Sequence, residues 1–305
     1  MVLASPFSVT NTAVLADGGK TGKCLTDTLQ VLNPGFADTP IICGYNTGQH
    51  MFVPASDQCN KIHINIDTGV TTTTRKWQMK ITQYTCESQM APVNQCLQYH
   101  TASTGSFASF AWDTSATTVA TTHTHLVNQY YSVCIRRARS HCSVCYTPNI
   151  ISAAIGTGSS YGLGTSSDGA AAKSASGATC TGVTIAGSAN IAIGAGHGDY
   201  LEIANMQEVS IAITATATYA NTIYRVCGGV FSAAAIATAT QGTICSFTVP
   251  FKVGVHMDDA ENIGLAAEAI APNLNAYENM GTVTFVTGSG HGYAGFYLDY
   301  WQQAC

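Results

Sequence analysis

Charge is what this sequence has least of: 10% of its 305 residues are Asp, Glu, Lys or Arg, against about 25% in an ordinary soluble domain. With 17 acidic and 12 basic side chains the formal net charge is -5, so the basic footprint of a nucleic-acid binder is missing and no nucleic-acid partner is expected. Disorder is excluded from the other side. It needs low hydrophobicity and high net charge, whereas 46% of the residues are hydrophobic. No uninterrupted apolar run reaches the roughly 18 residues that a membrane-crossing helix requires. Asn-x-Ser/Thr sequons are absent, so N-glycosylation is not expected. The Gly-Asp-Ser-Gly stretch and His-Glu-x-x-His are absent too, which argues against an enzyme. Two glycine loops, 194–198 and 288–292, each enclose a histidine. Neither opens a helix after a strand, so a Gly-His turn is the simpler reading.

Helical periodicity is also scarce. Only Glu261–Ala271 reads as a short helix, and Gly264 weakens it. Alternation of period two is common instead: Ile62, Ile64 and Ile66; Trp77, Met79 and Ile81; Phe247, Val249, Phe251, Val253 and Val255; Phe296, Leu298 and Tyr300. Such alternation marks half-buried strands. Many short strands between Gly/Ser/Asn turns predict an all-β chain of antiparallel sandwich type.

Cysteine is plentiful, with 12 residues at 24, 43, 59, 86, 96, 134, 142, 145, 180, 227, 245 and 305. Cys142-x-x-Cys145 is the one pair with metal-site spacing, and no second pair completes four ligands. Disulfides formed in an oxidising, extracellular compartment are the better reading, so the chain is expected to be secreted. Met1–Gly19 lacks the basic start and continuous apolar core of a signal peptide. The expectation is a signal already removed, or a chain that begins inside its precursor.

The cysteines carry a repeat. Cys24, Cys43, Cys59 and Cys86 have counterparts in Cys180, Cys227, Cys245 and Cys305, and Ile42-Cys43-Gly44 matches Val226-Cys227-Gly228. Asp27-x-Leu29-x-Val31 resembles Asp199-x-Leu201-x-Ile203, and Trp77, Met79, Ile81 and Gln83 align with Phe296, Leu298, Tyr300 and Gln302. The second copy is expanded by Gly/Ala/Ser/Thr-rich insertions, mainly at 153–197, 212–222, 229–243 and 260–282.

Asp199–Ile203, Cys227-Gly228 and Gly295-Phe296 with Tyr300 are landmarks similar to those of CUB domains, extracellular β-sandwiches of jelly-roll type. Cys96–His100, Thr104–Phe110, Asn128–Arg137 and Gln302–Cys305 bring the resemblance closer to secreted arthropod CUB-domain proteins. It covers about residues 24–305. The resemblance implies an N-terminal arm over 1–23, a half-CUB-like β-domain over 24–90 and one enlarged CUB domain over 91–305. It also implies the pairs Cys96–Cys134, Cys180–Cys227 and Cys245–Cys305, to which the repeat adds Cys24–Cys43 and Cys59–Cys86. Cys142 and Cys145 are then left to each other, or exchange partners with Cys96 and Cys134, because a three-residue spacing within one strand fits a disulfide poorly. Some CUB domains bind calcium through acidic end-loop residues and use it to dock a partner's lysine. The matching candidates are Asp199 with Asp258 or Asp259, fewer carboxylates than calcium normally takes. Two acidic turn residues and no cofactor is therefore the favoured expectation.

His123 and His125 share a face if they lie on a strand and could ligate zinc or copper, with only His141 as a third ligand. Polar residues on a Thr-rich edge is the plainer reading. Arg136, Arg137 and Arg139 form the one basic cluster, which a solvated hairpin turn explains. Residues 1–150 carry nine basic and seven acidic side chains, residues 151–305 three and ten. Opposite signs in the two halves favour head-to-tail association. The leading strands of the 24–86 segment are missing, so its edge needs cover. The arm either completes the sheet within the chain or inserts into a neighbour by strand addition, which does not close and builds filaments. The sequence thus predicts a secreted, disulfide-rich, non-enzymatic structural protein that self-assembles through strand addition and apolar loops. The alternative is an extracellular CUB module that recognises a protein or carbohydrate partner, with calcium as a helper.

Overall fold

A computed structural model describes residues 26–67, 75–92, 96–114, 125–149, 160–163, 199–208, 242–257 and 295–305, with short pieces at 2–3, 8–9, 22, 24, 174–176, 225–228 and 231. Every regular element among them is a β-strand. In the N-terminal part these are β1 (Val2–Leu3), β2 (Ser8–Val9), β3 (Thr28–Leu32), β4 (Gly44–Tyr45), β5 (Lys61–Asn65) and β6 (Met79–Lys80). The remainder holds β7 (Gln98–His100), β8 (Thr104–Ala108), β9 (Gln129–Ile135), β10 (His141–Pro148), β11 (Tyr161–Gly162), β12 (Ser174–Ser176), β13 (Tyr200–Ile203), β14 (Met206–Glu208), β15 (Arg225–Gly228), β16 (Ile244–Ser246), β17 (Phe251–Met257) and β18 (Gly295–Ala304). The sequence-predicted helix 261–271, the loops 194–198 and 288–292, and most of the insertions lie outside the described residues.

The twelve later strands form two six-stranded sheets. One runs β12-β15-β13-β17-β9-β7; the other runs β11-β18-β10-β16-β14, with β8 also pairing β18. Alternation places the core. Val253, Val255 and Met257 of β17 and Tyr131, Val133 and Ile135 of β9 point inward from the first sheet, and Phe296, Leu298 and Tyr300 of β18 with Val144 and Tyr146 of β10 from the second. Phe107 joins them edge-on, its ring centroid 5.9 Å from Phe296 and 6.1 Å from Tyr146. Stacking the two inner faces removes this apolar set from water, the main favourable term in folding. The all-β, CUB-like jelly-roll expectation is the architecture found. The alternation at Phe247 and Val249 is not used: both are exposed, and β17 starts only after Pro250, which has no N–H for a ladder.

The N-terminal segment packs on the same core. Leu29, Val31, Ile42 and Met51 belong to one buried cluster with the sandwich residues. Its strands keep a definite register: Leu29 faces Ile64 and Val31 faces Ile62 across β3–β5, while Leu29 also bridges Ile42. In the sandwich, Leu201 faces Val255 and Val226, and Ile203 faces Val253. A loop from the N-terminal segment covers the open edge strand β7: Phe52 N donates to Leu97 O at 2.7 Å and Tyr99 N to His50 Nε2 at 2.9 Å. Covering an edge in this way removes a template for unwanted pairing. Of the two roles expected for the arm, its described pieces take the first, β1 pairing β6 and β2 pairing β4 of their own chain.

Four disulfides join the described cysteines: Cys24–Cys43, Cys96–Cys134, Cys142–Cys305 and Cys145–Cys245. The last two correct the expected Cys142–Cys145 and Cys245–Cys305. The reason is the position of β10, which lies between β16 and β18. Cys145 stands directly opposite Cys245 on one side, and His141 opposite Ala304 on the other brings Cys305 to Cys142. Three residues along an extended strand span about 10 Å, beyond the 6.8 Å Cα limit for a bridge. Cys59–Cys86 is corrected as well: both are exposed and unbridged, because β5 pairs only β3 and β6 only β1, so no described sheet brings the two together. The Cys180–Cys227 expectation lies outside the described residues, since Cys180 is not among them.

Candidate binding surface

The outer face of the β15-β13-β17-β9 sheet faces away from the core. Register sets its contents: Tyr200 of β13 stands opposite His256 of β17, and His256 opposite Tyr130 of β9. The imidazole lies flat on the Tyr200 ring, centroids 4.5 Å apart at 16°. Arg225 of β15 covers Tyr200 with its guanidinium carbon 4.3 Å from the ring centroid. Tyr130 meets His256 at 6.0 Å and 75°, and is 57% exposed. One row thus runs guanidinium, phenol, imidazole, phenol across four neighbouring strands. Cation–π contact and ring stacking each fix orientation at about 0.5–1.5 kcal/mol.

Gly254 pairs with Glu202 on one side and Ser132 on the other, and a Cβ there would come within 3.2 Å of the Glu202 Cβ and 3.3 Å of His256 Nε2. Glu202 Oε2 stands 3.6 Å from His256 Nε2. Burial pushes the His256 ring below its ordinary pKa, Arg225 and Lys252 add to that, and Glu202 opposes it. The ring is therefore largely neutral near pH 7 and can donate or accept. Together the face offers exposed aromatic surface, a guanidinium fork, a carboxylate, an ammonium at Lys252 and the Ser132 hydroxyl. Aromatic and guanidinium groups of this kind are enriched where binding energy concentrates at interfaces.

A second cluster lies at the start of β13. Asp199 and His125 are both buried, and His125 Nε2 lies 3.1 Å from Asp199 Oδ2. The other ring nitrogen, Nδ1, lies 3.2 Å from Leu126 O. Tyr161, also fully buried, has its phenol pushed far up by burial and by the neighbouring Asp199 charge. Gly295 closes the wall at φ +89, where an added Cβ would collide with Ser109 Oγ and come within 3.1 Å of the His125 Cβ. Although Ser109, His125 and Asp199 sit close by, the Ser109 hydroxyl is held by the Phe296 backbone, accepting from its N at 3.2 Å and donating to its O at 3.4 Å. With all three buried, this is packing, not a nucleophile presented to substrate.

Of the expected calcium set, Asp258 and Asp259 lie outside the described residues, and Asp199 is engaged by His125. Among the described residues no group of three His, Cys, Asp or Glu gathers to hold a metal. His123 is not described, His125 is buried away from His141, and His141 Nδ1 instead contacts Arg139 O at 2.7 Å. Arg136 and Arg137 use their donors on backbone carbonyls of Thr101 and His141, the hairpin-turn reading. Sequence reasoning missed the Arg225–Tyr200–His256–Tyr130 row. Each residue occupies an outward position on its strand, but only the pairing of four strands lines them up. It also missed His125 as the partner of Asp199, since 74 positions of sequence separate them.

No helix among the described residues is long and apolar enough to cross a membrane. No curated protein matches the chain. The animal CUB domain family matches residues 93–303, and such domains, like disulfides, are typical of extracellular binding proteins rather than catalysts. Spanning both sheets and more than half of the sequence, the match establishes that the chain belongs to the animal CUB domain family.

Proposed function

We propose that this protein is a secreted, non-enzymatic binding module that engages an extracellular protein or carbohydrate through the outer face of its β15-β13-β17-β9 sheet. The Arg225–Tyr200–His256–Tyr130 row carries the reading. Pre-stacked aromatic and guanidinium groups lose little freedom on binding and are the side chains most enriched where interface energy concentrates. Four disulfides support an oxidising destination. The test is a screen of the labelled full chain against immobilised glycans and extracellular proteins, repeated with Arg225→Ala and Tyr130→Ala. Both variants are expected to keep the fold and to lose at least tenfold in affinity for whatever the wild type captures. Unchanged capture by both variants would move the binding surface elsewhere.

A second reading, self-association, has its own observation. Among the described residues of the 66–90 stretch, Trp77 is exposed at 46%, Ile81 at 66%, Tyr84 at 44% and Met90 at 43%, and Cys59 and Cys86 are exposed and unbridged. Large exposed apolar patches mark interaction sites. The matching pairing of β3–β5 and β13–β17 supports reading 24–90 as half of a second CUB-like sandwich. Size-exclusion chromatography with light scattering, and gels run with and without reductant, decide it. A monomer in both kinds of measurement would remove this reading.

A further inference from the structure

We infer that the N-terminal segment receives one extended strand of a partner polypeptide, a strand that carries Cys-x-x-Cys and bonds its two cysteines to Cys86 and Cys59. The inference rests on reading 24–90 as half of a second CUB-like sandwich. Strand pairing carries it. Leu29 faces Ile64 as Leu201 faces Val255, and Val31 faces Ile62 as Ile203 faces Val253. Leu29 also bridges Ile42 as Leu201 faces Val226. The β15-β13-β17 part of the first sheet thus has a residue-for-residue counterpart in the segment. Trp77, Met79, Ile81 and Gln83 stand at the same distances from Cys86 as Phe296, Leu298, Tyr300 and Gln302 do from Cys305. Cys86 therefore holds the place of Cys305. Cys59, the last cysteine before β5, holds the place of Cys245, the last before β17.

In the sandwich a single strand serves both places. β10 lies between β18 and β16, and its Cys142 bonds Cys305 while its Cys145 bonds Cys245. Among the described residues of the segment no strand plays this part. β5 pairs only β3, β6 pairs only β1, and Val2–Leu3 of β1 holds no cysteine. Cys59 and Cys86 are accordingly exposed and unbridged. The apolar side chains point the same way. Phe296 and Tyr300 are buried, whereas their counterparts Trp77 and Ile81 stand in water. An added strand removes such surface from water and gains ladder hydrogen bonds along an open edge. A second copy of the chain is not the donor. Cys142-x-x-Cys145 is the one such pair in the sequence, and both its cysteines are already bonded in their own sandwich. Each new bond joins one thiol of the segment to one of the partner, and two electrons and two protons leave. Glutathione disulfide accepts them and departs as two thiols.

The experiment uses the full chain and a synthetic peptide of residues 140–149, which contains β10 with both of its cysteines. The two are incubated in a glutathione redox buffer, alkylated and mapped by mass spectrometry. A one-to-one complex with two bridges is expected, the peptide's first cysteine on Cys86 and its second on Cys59, the order that β10 keeps toward Cys305 and Cys245. Inserting one residue between the peptide's cysteines turns the second to the opposite face of the strand. That peptide is expected to give at least tenfold less of the doubly bridged product. In the full chain, Cys86→Ser is expected to leave one bridge, from Cys59 to the peptide's second cysteine. Reversed or mixed pairing, equal yield from the lengthened peptide, an internal Cys59–Cys86 bond, or no complex at all overturns the inference. Self-association is read separately by light scattering. A monomer there removes self-association and leaves the peptide result standing, and a failed peptide pairing leaves self-association untouched.

Discussion

The N-terminal segment and the sandwich place the same short pattern in two surroundings. Leu29 and Leu201 are both fully buried, each flanked by an antiparallel partner in the same register, and each strand is preceded by a buried aspartate. Around Leu201 there are six strands in its own sheet and a second sheet across the core. Around Leu29 there are a two-stranded sheet, one bridge and the flank of the larger domain. The consequences follow from area. Most large side chains of the sandwich enter the shared core, with Tyr130, Phe247 and Val249 left exposed, whereas the segment leaves Trp77, Ile81, Tyr84 and Met90 in water and depends on its neighbour for cover. The residues beside the two aspartates differ in step: His125 is fully enclosed, while Arg75 reaches Asp27 from a site that is 19% exposed. A local pattern fixes pairing, and the number of layers around it fixes how much is buried.

The largest expected effect separates the two by covalent closure. Replacing Cys145 and Cys245 with Ser opens a loop of 100 residues, worth about 4–5 kcal/mol on a chain-entropy estimate. Replacing Cys24 and Cys43 opens a loop of 19, worth about 3 kcal/mol. Urea titration of both variants checks the order. Leu201→Ala and Leu29→Ala come next, each costing about 2–5 kcal/mol by transfer and cavity terms. Because Leu29 shares the single core cluster, its variant is expected to unfold in one transition with the sandwich. A separate early transition for Leu29→Ala would show the segment to be an independent unit.

How far this was legible from sequence varies with the feature. Strands β17 and β18 were, since Val253, Val255, Phe296, Leu298 and Tyr300 alternate and one face must enter a core. Their continuation through Phe247 and Val249 was not, because Pro250 interrupts the ladder. Around Trp77 and Ile81 the alternation is real, but β6 has only two paired residues and one partner strand, so only Met79 is drawn toward the core. Cysteine partners depend on which strand lies between two others, information that no spacing holds. The candidate surface was illegible for the same reason. Asp199 stood out in the sequence, yet its partner arrives from a distant loop.

At the junction of the two regions the comparison becomes a pH dependence. His50 of the segment and His100 of β7 lie with ring centroids 4.9 Å apart, and burial pushes each imidazole down to about 4. The charged rings facing them are each other; Phe52, Phe107 and Tyr300 supply neutral surface. The unfolded chain, with imidazoles near pKa 6.5, binds more protons than the folded one, so stability rises with pH through this window. It is expected to be full above about pH 6.5 and to fall by up to about 3 kcal/mol per ring as pH drops to about 4. Unfolding midpoints at pH 7, 5.5 and 4 measure the slope, and His50→Gln is expected to flatten it. An unchanged slope in that variant would locate the acid sensitivity elsewhere.

The smallest effect on stability is the most informative about the exposed side of the segment. Trp77→Ser and Ile81→Ser change side chains that are 46% and 66% in contact with water, so each should shift folding stability by no more than about 0.5 kcal/mol. Their influence on association is expected to be disproportionate, because an exposed aromatic or aliphatic group contributes to an interface only when a partner desolvates it. Light scattering over a concentration series compares the wild type with the double variant. If 66–90 is a contact surface, the wild type gains mass with concentration and the double variant stays monomeric while melting at nearly the same temperature. If both behave alike, the exposed side chains are only the surplus of a segment with too few layers to bury them, and the distinction between the two regions is one of packing alone.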